Sequence, residues 1–127
     1  MKVSFAILVI ISFLASCKKN DRDSFTGTWE LKEVLMDPGN GSGVFTAVSS
    51  DKNLVFNTNG NVNSNGVICD MSIESNTNTA GTYSEIDSTI ISTTCPNLIL
   101  KYEVSGDTLI LIYPCIEACK AKYMKVL

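Results

Sequence analysis

Histidine is absent from this 127-residue chain, and its absence excludes several kinds of functional site at once. Without an imidazole, the protein cannot form a Ser-His-Asp triad, a Cys-His pair or a metal centre that uses histidine. The sequence also lacks a G-x-x-x-x-G-K-[ST] phosphate-binding loop, and no spacing among its carboxylates singles out an acid and a base. We therefore expect no enzymatic activity, no catalytic residues, no metal site and no cofactor.

Basic residues are scarce as well. Ten Lys and Arg residues face thirteen Asp and Glu residues, which gives a formal net charge of −3 at pH 7. A nucleic-acid-binding surface needs a basic patch that displaces counterions, and docking onto anionic lipids needs clustered positive charge. The charge balance argues against both, so we expect no nucleic-acid partner. We expect the protein to be a monomer.

The N-terminal apolar run is too short to cross a bilayer, which takes about 20 residues. It extends from Val3 to Leu14, follows the positive charge of Lys2 and ends in Leu14-Ala15-Ser16-Cys17. This ending is typical of a bacterial lipobox, where the signal peptide is cut and the cysteine thiol takes up diacylglycerol. The alternative is an ordinary secretory signal that is cut after a small residue. We predict a lipoprotein signal peptide over residues 1–16 and a lipidated Cys17.

Lipidation of Cys17 would make a membrane the first partner of the protein. Lipoproteins of this kind carry three acyl chains, whereas a single chain binds a membrane only marginally. We expect a protein that is anchored by lipid in the bacterial outer membrane and faces either the periplasm or the cell surface. Residues 17–24 then form the lipidated cysteine and a polar tether, and residues 25–127 form one domain.

No segment with helical periodicity appears after residue 20. Short β-rich runs instead alternate with Gly, Asn, Asp and Pro at the spacing of an antiparallel meander. We predict an all-β fold, a small antiparallel up-and-down β-barrel of about eight strands. The predicted strands cover residues 27–35, 52–57, 61–69, 81–86, 88–95, 98–104, 108–113 and 120–126, with 45–48 as a strand or an ordered loop.

Alternation along the strands predicts which side chains face the interior. Trp29 and Leu31 share the inner face of the first strand. The unbroken apolar run at 108–113 predicts a central strand that is at least partly covered on both faces. The clearest alternation lies in the strand at 98–104, where four side chains are predicted to face inward: Leu98, Leu100, Tyr102 and Val104.

Turn residues give further local predictions. Asn59-Gly60 suits a two-residue type I′ hairpin turn, in which both residues have φ > 0. Asn61, Asn63 and Asn65 recur at every second position and are predicted to share a solvated strand face, with a polar ligand surface as the alternative. The loop at 37–43 has oxygen donors but lacks the closing bidentate Glu of an EF-hand, so we predict a turn and not a calcium site.

Four cysteines follow Cys17, and an even number outside the cytoplasm predicts disulfides. Three pairings are possible. We favour Cys115–Cys119, because three intervening residues let two hairpin arms face each other, and this choice leaves Cys69–Cys95. A Cys₄ zinc site is the rival, but its usual signature is two close pairs, and only one pair here is close.

The triplet Gly27-Thr28-Trp29 matches the G-x-W of the first lipocalin strand, in which the tryptophan plugs one end of a barrel. Together with the lipobox, the Gly-rich stretch 37–43 and the cysteine-bearing stretch 113–123, it makes the chain similar to the lipocalin-like lipoproteins of Bacteroidetes. The likeness covers nearly the whole mature chain. The resemblance implies a lipocalin-like barrel, although a fold does not imply a function.

Two hypotheses for function are open at this point. In the first, the barrel holds a small apolar ligand; in the second, a filled barrel serves as an envelope structural or protein-interaction module. A cavity of about 300 Å³ or more, lined by apolar side chains, would favour the first, and a filled interior would favour the second. The inward-facing residues that would hold the ligand are Trp29, Leu54, Phe56, Tyr83, Leu100 and Tyr102.

Overall fold

The computed structural model describes residues 24–127. The predicted signal peptide, the predicted lipidation site Cys17 and residues 18–23 of the predicted tether lie outside the described residues. Within the described part, every regular element is a β-strand. The strands are β1 (Gly27–Met36), β2 (Thr46–Ala47), β3 (Asn53–Phe56), β4 (Asn61–Ser64), β5 (Thr79–Ser84), β6 (Thr89–Ser92), β7 (Ile99–Ser105), β8 (Thr108–Tyr113) and β9 (Cys119–Lys125).

The strands form a closed antiparallel barrel. From β3 to β9 each strand pairs with the next one along the chain, and β1 closes the ring by pairing with both β3 and β9. Eight strands make the ring, and the two-residue β2 adds to the far half of β1. The predicted all-β, up-and-down barrel of about eight strands is therefore confirmed.

The central strand β8 has apolar side chains on both of its faces. Leu109, Leu111 and Tyr113 are buried in the core, whereas Ile110 and Ile112 between them are half-buried on the outer face. Lysine residues of β9 lie opposite both isoleucines, and the aliphatic stem of lysine covers apolar surface readily. The prediction that both faces of this strand are partly covered is confirmed.

The predicted type I′ turn between β3 and β4 is wrong. Gly60 has a φ of 85°, but Asn59 does not have a positive φ. The Gly60 amide donates to the Asn57 carbonyl at 3.2 Å, and the Asn57 amide donates to the Asn61 carbonyl at 2.9 Å. This pattern is that of a three-residue loop, in which a type I turn is followed by a glycine in the left-handed region.

Two further predictions need correction at the ends of strands. Val104 lies opposite the buried Leu109 and so on the inner face, but it sits at the rim of the barrel and is 43% exposed. The strand that begins at Asn61 ends at Ser64 and not at Cys69, because the chain leaves the sheet in a long loop. Asn65 therefore lies in this loop and not in the strand.

The two ends of the barrel are unlike. At the first, which we call the aromatic end, β1 begins and the connections at 57–60, 85–88 and 106–107 are short. At the second, which we call the disulfide end, the connections are longer and contain Cys69, Cys95 and Cys115, and Cys119 begins β9 beside them. These longer connections are residues 37–52 (which include β2), 65–78, 93–98 and 114–118.

Candidate functional site

The predicted ligand-binding residues come together, but in a packed core. Trp29, Leu54, Phe56, Leu100 and Tyr102 are buried, and the half-buried Tyr83 packs against the same cluster. Four grooves that described residues line all lie on the surface and open to solvent. The six side chains therefore fill the barrel that residues 24–127 form, and none of these grooves lies inside it.

A residue that the sequence analysis missed, Phe25, closes the aromatic end. Its ring stacks on that of Tyr102, with the centroids 5.2 Å apart, and lies 4.4 Å from that of Phe56 and 5.3 Å from that of Tyr83. The indole N–H of Trp29 donates to the Phe25 carbonyl at 3.0 Å. The aromatic residue two positions before the G-x-W triplet was the available signal.

The tyrosine hydroxyls of the aromatic end are already engaged. Tyr83 donates to the Asn57 carbonyl at 2.6 Å, and Tyr102 donates to the Ser84 carbonyl at 2.9 Å. Burial raises the pKa of Tyr102 to about 12, and it also raises the pKa of Tyr83. Both tyrosines are neutral at physiological pH; Tyr83 binds the 57–60 connection, and Tyr102 binds the last residue of β5.

Two disulfides hold the disulfide end. Cys69–Cys95 joins the connections 65–78 and 93–98, and Cys115–Cys119 closes the connection between β8 and β9. The Cα atoms are 6.1 Å and 5.8 Å apart, within the usual range for a disulfide. The favoured pairing is confirmed, and it leaves none of these four sulfurs free to bind zinc.

Lys52, also missed from the sequence, is buried at the disulfide end. Its ammonium donates to the carbonyls of Ser72 at 2.6 Å and of Asp70 at 3.3 Å. Burial lowers the pKa of Lys52 to about 8, against the opposing effect of the Asp70 carboxylate. A Cβ at Gly66 would clash with the Glu74 carbonyl oxygen and would also approach the Lys52 side chain to 2.9 Å, so glycine lets the loop pack closely on itself and on the lysine stem. Through these hydrogen bonds, Lys52 holds the 65–78 connection against the end of the barrel.

Asn65 reinforces the same connection. Its side-chain oxygen accepts from the Asn53 amide at 2.8 Å, and its side-chain nitrogen donates to the Asp51 carbonyl at 2.9 Å. Asn61 and Asn63 are exposed, as predicted. Asn65 is half-buried and links the 65–78 connection to the 37–52 connection. A solvated face therefore describes only the first two of the three.

An apolar groove of about 300 Å³ lies at the disulfide end, and we call it the apolar groove. Its floor includes Tyr113, which is 6% exposed. Sulfur-bearing and aliphatic side chains dominate its walls, and both disulfides contribute to them. The lining residues are Met36, Cys69, Asp70, Met71, Leu98, Tyr113, Pro114, Cys115 and Cys119.

The Tyr113 side chain is almost fully buried, and its hydroxyl forms a hydrogen bond with Tyr123. Burial raises the pKa of Tyr113 well above its ordinary value, and the neighbouring Tyr123 raises it further. Tyr113 is therefore neutral at physiological pH, and its hydroxyl is not exposed to the apolar groove.

A second, polar groove of about 180 Å³ lies at the same end, and we call it the acidic groove. Asp51 and Glu74 are its charged residues, and both are exposed. Within residues 24–127, neither carboxylate forms a salt bridge or a side-chain hydrogen bond. The remaining lining residues are Ser49, Ser50, Ile73 and Ser75.

The loop at 37–43 is organised by a carboxylate that binds its own backbone. Oδ1 of Asp37 accepts from the amides of Gly39, Asn40 and Gly41, and Oδ2 accepts from the amide of Gly43 at 2.8 Å. These bonds, led by that of Gly43, lower the pKa of Asp37. The prediction of a turn at this loop fits the structure, because the carboxylate is fully used within the loop.

Two larger grooves have more polar linings. One of about 640 Å³ lies at the aromatic end beside the last residues of the chain, and one of about 580 Å³ lies on the outer wall beside Asn63.

Within residues 24–127, no group of three or more Cys, Asp or Glu side chains is placed to hold a metal ion. No helix of the described part is long and apolar enough to cross a membrane.

The protein was compared with models of protein families, with curated proteins and with solved structures. None of the three comparisons found a match. The fold and the two disulfides therefore stand on the structure alone, and the lipocalin-like resemblance stays a prediction from the sequence.

Proposed function

We propose that this chain is a lipid-anchored lipoprotein of the bacterial cell envelope whose filled barrel is a scaffold for binding another molecule at the disulfide end. The lipobox that ends at Cys17 supports the anchor. The two disulfides support a compartment outside the cytosol, since disulfides persist in oxidising environments. A closed eight-stranded ring with Trp29 in its first strand is compatible with the lipocalin-like resemblance.

The filled interior is the observation that carries this choice. A carrier of a small apolar ligand needs an interior cavity, whereas the residues that would line it pack against one another. The aromatic end adds a second obstacle, because Phe25 and the two engaged tyrosines block that entrance. An interaction module needs only a stable barrel and a surface, which favours the second hypothesis.

The position of the anchor supports the disulfide end as that surface. Seven residue steps separate Cys17 from Ser24, and β1 begins at Gly27 of the aromatic end. Fully extended, seven residues span at most about 25 Å. A lipid at Cys17 would hold the aromatic end near the membrane and leave the disulfide end pointing away from it.

Membrane partitioning of a Cys17→Ala variant tests the anchor. Without the thiol there is no acceptor for the lipid, so we expect the variant to leave the membrane fraction while the unaltered chain stays in it. Ser16→Gly is the matched control, because it keeps a small residue before the cysteine and should leave partitioning unchanged. Membrane-bound Cys17→Ala protein would contradict the proposed anchor.

A further inference from the structure

One segment, residues 70–75, borders both grooves of the disulfide end. Asp70 and Met71 line the apolar groove, while Ile73 and Glu74 line the acidic groove. Met71 and Glu74 are three residues apart, and three residues of extended chain cover about 10 Å. One short ligand can therefore reach both the apolar groove and the acidic groove.

The connections of this end carry mostly negative charge. Its four connections contain five carboxylates, and their single basic residue, Lys52, has its ammonium enclosed by backbone carbonyls. The Asp37 carboxylate is saturated by loop amides, so it does not add to the binding surface. The carboxylates are Asp37, Asp51, Asp70, Glu74 and Glu117. A cationic ligand complements this surface, and an anionic one is repelled.

The size of the grooves favours a peptide over a single small molecule. At about 300 Å³, the apolar groove is at the lower limit of sites for small ligands, which cover about 300–1,000 Å³. It suits one or two side chains.

We infer that the disulfide end binds an extended basic segment of another protein, with an apolar side chain in the apolar groove and an arginine or lysine about three residues away at Asp51 and Glu74. This inference rests on the proposed function, because it names the partner class of the same surface. The disulfides keep the walls of the groove in place before the segment arrives, which lowers the entropy cost of binding.

Three synthetic peptides test the inference against the full chain purified in neutral detergent. The first has three Leu-Ser-Ser-Arg repeats, the second replaces each Leu by Ser, and the third replaces each Arg by Glu. Fluorescence anisotropy of the labelled peptides gives each Kd at low and at high salt. We expect the first peptide to bind about tenfold more tightly than either control, and more weakly as salt rises.

Two matched pairs of variants locate the binding. Met36→Gln removes an exposed apolar group from the apolar groove, and Ile86→Gln removes one from the aromatic end. Glu74→Gln removes a carboxylate from the acidic groove, and Glu103→Gln removes an exposed one from the outer wall of β7. We expect the first member of each pair to raise the Kd of the Leu-Ser-Ser-Arg peptide about threefold and the second to leave it unchanged.

Several outcomes would overturn the inference. They are no binding of the first peptide at about 1 mM, equal binding of the second or third peptide, or equal effects within either pair of variants. Displacement of the peptide by octylamine at equal concentration would assign the surface to a small amphiphilic amine instead. A membrane-bound Cys17→Ala variant would contradict the anchor and leave the peptide result standing, so the two failures can be told apart.

Discussion

The aromatic end and the disulfide end close the same barrel by different means. At the aromatic end, four rings pack around Phe25, and two tyrosine hydroxyls bind the backbone carbonyls of Asn57 and Ser84. At the disulfide end, two covalent bonds and one buried lysine hold much longer connections. The difference follows from chain entropy, because a long loop costs more to order than a turn, and a crosslink reduces that cost.

The two ends also differ in the groups that they can offer to a binding partner. At the aromatic end, the indole N–H of Trp29 and the hydroxyls of Tyr83 and Tyr102 already bind backbone carbonyls. The disulfide end keeps an apolar groove and two exposed carboxylates without a salt bridge, and two disulfides hold its connections. Loops on a rigid scaffold are where binding residues concentrate in proteins generally.

The largest effect on stability is expected from the core beside the aromatic end. Trp29→Ala removes a fully buried ring from the cluster, so it should lower the free energy of unfolding by about 3–5 kcal/mol. Chemical denaturation followed by circular dichroism measures the loss. Ile86→Ala, an exposed residue at the same end, is the control and should change it by less than about 0.5 kcal/mol. A loss below about 1 kcal/mol for Trp29→Ala would mean that this residue does not plug the barrel.

At the opposite end, removal of either disulfide should lower the free energy of unfolding by less than Trp29→Ala does. The loss should be larger for the disulfide that closes the longer loop. Replacing both cysteines of the 69–95 pair by alanine should lower the free energy of unfolding by about 3 kcal/mol, and replacing both of the 115–119 pair by about 2 kcal/mol. Denaturation of the two double variants gives the values. A larger loss for the 115–119 pair would contradict the entropic account of this end.

The smallest effect is a pH dependence from Lys52. Its pKa is about 8 in the folded chain and about 10.5 in the unfolded one. Between these values the unfolded chain holds more protons, so the free energy of unfolding should rise as pH rises from about 8 to 9.5. We expect a rise of about 1–2 kcal/mol over this interval. Above pH 10 the raised pKa values of the buried tyrosines act in the opposite direction.

Lys52→Met should abolish this rise, and Lys101→Met, which alters an exposed lysine of β7, should preserve it. Denaturation at a series of pH values compares the two. The same slope in both variants would show that the dependence has another origin.

The sequence predicted the parts of the fold that depend on local pattern. Alternation of apolar and polar residues marked the strands, and the three-residue spacing between Cys115 and Cys119 favoured the correct pairing. It did not predict the burial of Lys52, because a lysine beside a strand looks like a solvated residue until a loop folds over it. Phe25 was missed because its role depends on three strands that only meet in the closed barrel.

The candidate site was harder to predict than the fold. The six inward residues were chosen correctly as a group, but their side chains fill the interior, and volume cannot be judged from periodicity. The two grooves combine residues from four separate connections, so their proximity arises only from the topology. The dipeptide Asn59-Gly60 fits two loop types, and the register of β3 on β4 decides between them.

Native mass spectrometry of the full chain, purified from its host envelope under non-denaturing conditions, tests the central claim most directly. We predict the mass of a chain that begins at a lipidated Cys17, lacks four thiol hydrogens because of its two disulfides, and carries no small molecule inside the barrel. A bound apolar small molecule would contradict the filled scaffold. Free thiols or an unlipidated N terminus would contradict the envelope lipoprotein.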